Sequence, residues 1–244
     1  VPIDGLLSPR YADTRRALVD LKQASLEQRP GDPRSFEPLL AEAQARVGLG
    51  GPDNDTTTCL IADGSGNVLA ATPSGWGGVV AGRTGVVLGT RLQSFNTWRG
   101  HPNAIAPGKR PRITLTPTIV LRDGRPVVAV SVAGGDGQDQ ATLQMLTNII
   151  DFGLTADAAV TAPRFGTNHL VGSFRQPPPQ LGSLTIYEEV GSTTIDDLKH
   201  RGHRVTIDRP PLWHPSVLTV DPRTGALHAA GDPKTGRHAM AIAG

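Results

Sequence analysis

Residues 53–67 read DNDTTTCLIADGSGN, and the fold turns on how Thr56, Thr57 and Thr58 are interpreted. Two short apolar runs, TTTCLIA (56–62) and NVLAAT (67–72), flank the turn-forming DGSG, a pattern that predicts a hairpin. A threonine run at the head of a strand is ordinary β-chemistry. A threonine whose amino group becomes free is different, because a terminal amine can serve as base for its own hydroxyl. The preceding GLGGPDND (48–55) is a polar, glycine-rich link of the kind found at exposed loops and cleavage sites.

Upstream, YADTRRALVDLKQASLEQ (11–28) sets Ala17, Leu18, Leu21 and Leu26 near helical spacing and predicts a helix that RPGDP breaks. Ser35 is placed to cap a second helix, SFEPLLAEAQARV (35–47), with Leu39, Leu40, Ala43 and Val47 on one face. Downstream, TPSGWGGVVAGRTG (72–85) reads as a glycine-rich loop leading into a short strand, VVLG (86–89). ITLTPTIVL (113–121) and PVVAVSVA (126–133) form a second hairpin around RDGR. After GGDGQ comes a helix, DQATLQMLTNIIDFG (139–153), with Leu143, Leu146, Ile149 and Ile150 as its apolar face and Gly153 at its stop. Thr155 caps a short helix ending before Pro163, and QPPPQ (176–180) makes a stiff loop. A strand, the helix TTIDDLKHRG (193–202) and the strand HRVTI (203–207) follow. VLTVD (217–221) and ALHAAG (226–231) close the chain as a hairpin. Hairpins with helices inserted between them predict an α+β layered fold, not a doubly wound parallel sheet.

Composition excludes several classes. With 38% hydrophobic and 19% charged residues the chain is globular, not disordered. No apolar run approaches the roughly 20 residues that span a membrane, and the start, VPIDGLLSPRYADTRR, lacks the apolar core of a signal peptide. The compartment stays open between secreted, periplasmic and cytoplasmic. A net charge of +2 with scattered basic groups gives no nucleic-acid footprint. The single cysteine, Cys59, excludes an internal disulfide and reads as a small buried hydrophobe. The histidines show no metal-ligand spacing, and GWGGVVAGRTG lacks the GK[ST] of a P-loop. No metal and no organic cofactor is predicted.

Three segments then matter together: DTTTCLIADGSGN (55–67), APGKRPRITLTPTIVLRDGRP (106–126) and VAGGDGQDQATLQMLTNIIDFGLTADAAVTAPRF (132–165). In this order they resemble the C-terminal half of the gamma-glutamyltransferase family of N-terminal nucleophile hydrolases. HRVTI and AAGDPKTGR continue the likeness more weakly, and LLSPRYADTRR is similar to the end of that family's large subunit. The resemblance implies an αββα sandwich of stacked, mainly antiparallel sheets between helical layers. It implies that residues 1–55 are a helical large-subunit tail and residues 56–244 a small-subunit-like catalytic region. The chain would cut itself between Asp55 and Thr56, freeing the Thr56 amine as base for the Thr56 hydroxyl. An α-amine titrates at about 7.7–8.0, which suits that task. An acyl-enzyme on Thr56 would pass to water or to an acceptor amine. The resemblance further implies that Gly134 and Gly135 supply oxyanion N–H donors, that Thr114 holds a substrate carboxylate, and that Ser74, or alternatively Thr72, orients the nucleophile. Arg91 either binds a substrate carboxylate or pairs with an acid. Asp136 and Gln138 either cap the following helix or line the site. Lys109 and Arg110 read as a solvated loop.

The sequence also departs from the family pattern. Thr58 stands where a histidine is usual, Ile113-Thr114 where transpeptidases carry paired serines, and Ser94 near the place of the acid that holds a glutamyl α-amine. GGDGQ and HPNAIAPGKRP look closer to the branch with cephalosporin-acylase-like and other amide hydrolases, with Trp76 shaping an acyl pocket. The expected partners are a small-molecule amide or γ-glutamyl substrate and a second chain or N-terminal large-subunit region that completes the site. The rival readings are a true γ-glutamyl transpeptidase or glutathione hydrolase with altered anchors, and an unprocessed family member acting as a binding protein.

Overall fold

The computed structural model describes residues 2–37, 56–97, 100–174, 177–208 and 212–242. Asp55, the GLGGPDND link and the expected second helix from residue 38 onward lie outside the described residues. In chain order the elements are α1 (Ile3–Leu6), α2 (Pro9–Arg16), β1 (Cys59–Ala62), β2 (Val68–Ala71), β3 (Trp76–Val80), β4 (Val87–Gly89), β5 (Thr118–Arg122) and β6 (Arg125–Ala133). Then come α3 (Gln138–Ile150), α4 (Ala156–Thr161), β7 (Phe165–Gly166), β8 (Ser183–Tyr187), α5 (Ser192–His200), β9 (Arg204–Asp208), β10 (His214–Val220) and β11 (Leu227–Gly231).

The core is built on β6. Its sequence alternates large and small residues, Val128-Ala129-Val130-Ser131-Val132-Ala133, and every one is buried. The valines pack against Ala141 and Met145 of α3, Ala156 and Val160 of α4, and Val217 of β10. The small residues let the β1–β2 hairpin approach the opposite face, where Ser131 Oγ donates to Ala71 O at 2.9 Å. The result is a helical layer (α3, α4), an antiparallel sheet in the order β11-β10-β6-β5, and the hairpin stacked on it. This is the expected α+β arrangement of stacked sheets, and it explains why β6 reads as a continuous apolar run instead of an alternating one.

The predicted hairpins form in register. Cys59 pairs with Ala71 and Ala62 with Val68, and the DGSG turn is tied by Asp63, whose carboxylate accepts from the Ser65 and Asn67 amides. The β5–β6 turn uses Asp123 and Gly124 at φ 52° and 76°, the left-handed pair that a tight hairpin requires. Thr155 caps α4 by accepting from the Ala158 amide. One pair is parallel: β8 and β9 are joined by α5, as a crossover helix demands. They carry a second small core of Leu184, Ile186 and Ile195.

Four expectations need correction. The first helix ends at Arg16 instead of running to residue 28. Beyond a few local turns, residues 17–28 bond to distant parts of the chain: Ala24 N donates to Arg201 O at 2.7 Å, Gln28 Nε2 to His169 O at 3.0 Å. WGGVV (76–80) is a strand, β3, paired with β4, and not a loop. On α3 the buried face is Gln138, Ala141, Thr142 and Met145; Leu146 and Ile149 pack at its edge, while Leu143 (65% exposed) and Ile150 point outward. Cys59 is exposed, on the outer face of β1 beside the exposed Ile61–Leu69 pair, so it is no buried hydrophobe.

A buried ion pair ties the layers together. Arg164, at the end of the APRF motif's turn, and Asp232, just after β11, are each 1% exposed and salt-bridged. Arg164 also donates to Leu212 O at 2.9 Å, to Tyr187 Oη at 3.0 Å and to Val160 O. Burial pushes the Tyr187 phenol above its ordinary range, so it stays protonated while accepting from Arg164 and from the Leu212 amide. Asp232 Oδ1 accepts the Lys234 amide at 2.9 Å.

Two outcomes follow from these buried groups. Asp232→Asn leaves the Arg164 charge unpaired in the interior and is expected to destabilise the fold by about 3–5 kcal/mol in denaturant titration; a loss below about 1 kcal/mol would contradict the central role of the pair. Burial, chiefly, lowers the pKa of His214, with Arg237 and Arg164 adding to the effect and the Thr235 carbonyl and Asp232 opposing it. The unfolded chain therefore binds this proton more readily, and stability falls as pH drops below about 6.5. His214→Gln should lose less thermal stability than the parent between about pH 7.5 and 5.5; an equal loss would show that other groups set the acid limb.

Candidate active site

Thr56 lies in the chain that leads into β1, and Ser74 in the chain that leaves β2 toward β3. The hairpin brings them together: Thr57 N donates to Pro73 O at 3.0 Å, and Thr56 Oγ1 sits 2.6 Å from Ser74 Oγ. The two other threonines also have partners. Thr58 Oγ1 is 3.1 Å from Ser216 Oγ on β10, and Arg237 Nη1 donates to Thr57 Oγ1 at 3.3 Å. Thr72, the alternative to Ser74, is buried and bonds to Ser131 Oγ at 2.8 Å. It docks the hairpin on β6 and does not reach Thr56.

Gly134 and Gly135 follow β6 directly. Gly134 has φ 144° and ψ 41°, Gly135 φ 57°, conformations that suit glycine and turn the backbone sharply out of the strand. Gly137 N donates to Gly134 O at 3.2 Å and closes the turn ahead of α3. The indole of Trp213 lies flat on this loop. A Cβ added at Gly134, Gly137 or Gly166 would fall 2.3, 1.7 or 2.1 Å from an indole atom. Trp213 itself is set by Arg164, which grips the preceding Leu212 carbonyl, and by the pairing of His214 with Ala133. The loop is thus held by close contact with the Trp213 indole.

Asp136 does not cap α3; its carboxylate accepts from the Ser173 amide at 2.7 Å and from the Ser173 hydroxyl. This places Phe174 against Arg91, whose guanidinium carbon is 5.1 Å from the ring centroid. Arg91 in turn donates to Ser74 Oγ. Gln138 neither caps nor lines the site. It is fully buried, and with its amide nitrogen facing the two carbonyls it donates to Val132 O at 2.9 Å and Thr114 O at 3.2 Å. The Thr114 segment is therefore held beside the end of β6 through its backbone. Trp76 opens β3, with its backbone paired to Gly89.

Ser94 is buried, and its hydroxyl has no hydrogen-bond partner among the described residues. Its carbonyl accepts from Asn103 Nδ2 at 2.7 Å; Asn103 also reaches Asn96 Oδ1 at 2.9 Å and accepts the Arg112 amide at 2.8 Å. Asn103 so joins the Arg91–Ser94 turn to the KRPR loop. Lys109 latches that loop by donating to the Pro102 and Ala104 carbonyls. Among the described residues no cluster of His, Cys, Asp and Glu could hold a metal, and no helix is long and apolar enough to cross a membrane.

Sequence reasoning missed Trp213, Phe174, Asn103 and Arg237. None lies in the motifs around Thr56, and Trp213 and Phe174 act through stacking, which leaves no spacing signal. The one available hint was a tryptophan inside PPLWHP, next to a strand that had to pair with the glycine loop's own strand.

Comparison with known proteins agrees with this architecture. Residues 1–242 match the family model for Gamma-glutamyltranspeptidase. The glutathione hydrolase proenzyme of Bacillus subtilis (strain 168) is 28% identical over 248 residues, covering 99% of this chain and 40% of that protein. The solved structure of LmbA2991HD is 39% identical with a TM-score of 0.82, over 96% of this chain and 43% of that one. The cephalosporin acylase from Bacillus halodurans is 28% identical with a TM-score of 0.74, over 96% of this chain and 38% of that one. The chain spans about 40% of the length of the curated relative it matches. With stacked sheets, helical layer and family model in agreement over nearly its whole length, the chain belongs to the gamma-glutamyltranspeptidase family of N-terminal nucleophile hydrolases.

Proposed function

We propose that this chain carries the nucleophile of an amide-bond hydrolase or acyltransferase that frees Thr56 by cutting its own Asp55–Thr56 bond. The observation that carries this is the 2.6 Å contact between Thr56 Oγ1 and Ser74 Oγ at the head of β1. In the precursor the Thr56 hydroxyl attacks the Asp55 carbonyl, and the acyl group moves from nitrogen to oxygen. Water then cleaves the ester, releasing the Asp55 carboxylate and the Thr56 amine. In turnover that amine takes the hydroxyl proton while Thr56 Oγ1 attacks the substrate amide, and it returns a proton to the leaving amine. The backbone N–H groups of Gly134 and Gly135 receive the oxyanion, in a loop that Trp213 keeps from relaxing.

The acyl group is the finer question. A glutamyl α-ammonium needs an acid, and at Ser94 there is a buried hydroxyl instead. Arg91, a fixed cation, stands one turn earlier on the same short helix. This combination disfavours an ammonium and favours an acyl chain without one. Apolar side chains left exposed on this chain, including Ile61, Leu69, Leu88 and Leu92, offer surface for a large-subunit region to cover.

The first test is intact-mass spectrometry of the purified protein before and after a day at neutral pH. Cleavage at Asp55–Thr56 yields pieces 1–55 and 56–244, and Thr56→Ala should stop both processing and turnover. Retained turnover in that variant would sink the nucleophile assignment. For the acyl group, a glutaryl-anilide differs from a γ-glutamyl-anilide only by the α-ammonium. We expect kcat/KM for the glutaryl compound to be higher by about 10-fold or more. A preference for the γ-glutamyl compound, with stimulation by dipeptide acceptors, would establish a transpeptidase instead.

A further inference from the structure

We propose that Arg237 receives the carboxylate of a substrate whose leaving amine carries one, which makes it a specificity-determining residue on the amine side of the site. The proposal rests on Thr56 being the nucleophile.

Arg237 stands at the nucleophile end of the four-stranded sheet. The end of β6, the start of β10 and the end of β11 share one edge: His214 pairs with Ala133, the residue before Gly134, and Ser216 pairs with Gly231. Thr58 is tied to the same edge through Ser216 Oγ at 3.1 Å. The turn after β11 folds back here, with Asp232 N donating to Pro215 O at 3.2 Å and Arg237 N to Asp232 O at 3.1 Å. Arg237 Nη1 then donates to Thr57 Oγ1 at 3.3 Å, one residue from Thr56. The stem of Arg237 lies so close to Gly231 that a Cβ there would fall 2.6 Å from Arg237 Cβ. The guanidinium is therefore carried by a turn that the buried Arg164–Asp232 pair fixes in place.

The fold leaves this charge unmatched. Among the described residues Arg237 forms no ion pair, its guanidinium donates to Thr57 Oγ1, and its Nε is buried without a partner. The other charges of the turn are matched, Asp232 by Arg164 and Lys234 by Glu189 at 2.9 Å. His214 supplies no anion: burial, chiefly, and the charge of Arg237 lower its pKa, and its Nδ1 is likewise buried without a partner among the described residues. A buried donor with no acceptor is rare and costly, and the Nε–Nη edge of a guanidinium is a fork that a carboxylate fills with two parallel bonds. Arg91 reaches the nucleophile through Ser74, whereas Arg237 reaches it through Thr57. On the reading above the acyl chain lies toward Arg91 and Ser94, which leaves Arg237 to the amine half. A charge-assisted pair there raises kcat/KM only for substrates whose amine carries an anion.

The test crosses a change in the substrate with a change in the protein, expressed with its large-subunit region. The substrates are the 3-carboxy-4-nitroanilide and the 3-carboxamido-4-nitroanilide of the better acyl group, which differ at the leaving amine by one negative charge. We expect the parent to favour the carboxylate in kcat/KM by about 10-fold. Arg237→Met should abolish that preference, and Arg237→Lys should keep part of it. The ratio of the two substrates is the readout, so any common loss through Thr57 cancels. Thr57→Val isolates that common loss: it should lower both rates and leave the ratio as it was. The parent comparison needs no variant, so a misfolded Arg237→Met does not shield the proposal. A parent with no preference, or a preference that survives Arg237→Met, would overturn it. A large-subunit acid as the true partner would show instead as slower Asp55–Thr56 cleavage or weaker association of the two pieces in Arg237→Met with the ratio unchanged, and would overturn it equally. Turnover persisting in Thr56→Ala would sink the nucleophile assignment beneath it; a dead Thr56→Ala with equal rates on both anilides would sink the Arg237 role alone.

Discussion

The buried Arg164–Asp232 pair is the constraint on which the rest of the structure depends. It lies where the turn after α4, the start of β10 and the turn after β11 meet. A charge pair this deep must have every remaining donor matched, since desolvation otherwise exceeds the attraction. Arg164 meets that demand with two backbone carbonyls and a phenol. Each of those bonds fixes something else. The Leu212 carbonyl fixes Trp213, Trp213 covers Gly134 and Gly137, and the glycine loop thereby keeps a backbone conformation that isolated glycines would abandon. The pair therefore acts on the site at a distance, through packing, without touching any reacting atom.

The same logic separates what could be read from the sequence from what could not. The hairpins at 59–71, 118–133 and 214–231 were legible because each carries its own turn chemistry between two short apolar runs, and the Thr155 cap was legible because capping is local. The length of α2 was not. Its continuation had helical spacing, but the backbone of Leu21, Ala24 and Glu27 found partners at Arg201 and His169, far along the chain. The face of α3 was misjudged for a related reason. Small residues, Ala141 and Thr142, were needed against β6, and the large Leu143 and Ile150 were left outside. Cys59 followed the same pattern, since an apolar strand of only four residues says nothing about which of its faces is covered.

Around the candidate site, the approach of Ser74 to Thr56 was legible and the residues that support it were not. Thr56, Ser74 and the glycine pair carry recognisable chemistry or backbone demands. Gln138 and Asp136 looked like site residues because they stand next to those glycines. In the fold they act one step back: Gln138 ties the Thr114 backbone to Val132, and Asp136 fixes Ser173. Aromatic plates such as Trp213 and Phe174 are set by tertiary stacking, and no periodicity announces them.

The three consecutive threonines can now be accounted for one by one. Thr58 is bonded to Ser216 and so anchors the start of β1 on β10. Thr57 is held by Arg237, from the turn that Asp232 organises, which links the segment leading into β1 back to the buried pair. Thr56 Oγ1 meets Ser74 Oγ at 2.6 Å, and Arg91 donates to the same serine oxygen. A free chain end frays readily, and a nucleophile at the end of a strand would lose its aim. Two anchored hydroxyls immediately behind it remove that freedom. On the proposed reading the run TTT is neither plain strand chemistry nor a redundant catalytic cluster: two threonines are moored to the fold directly behind the one proposed as the chain terminus.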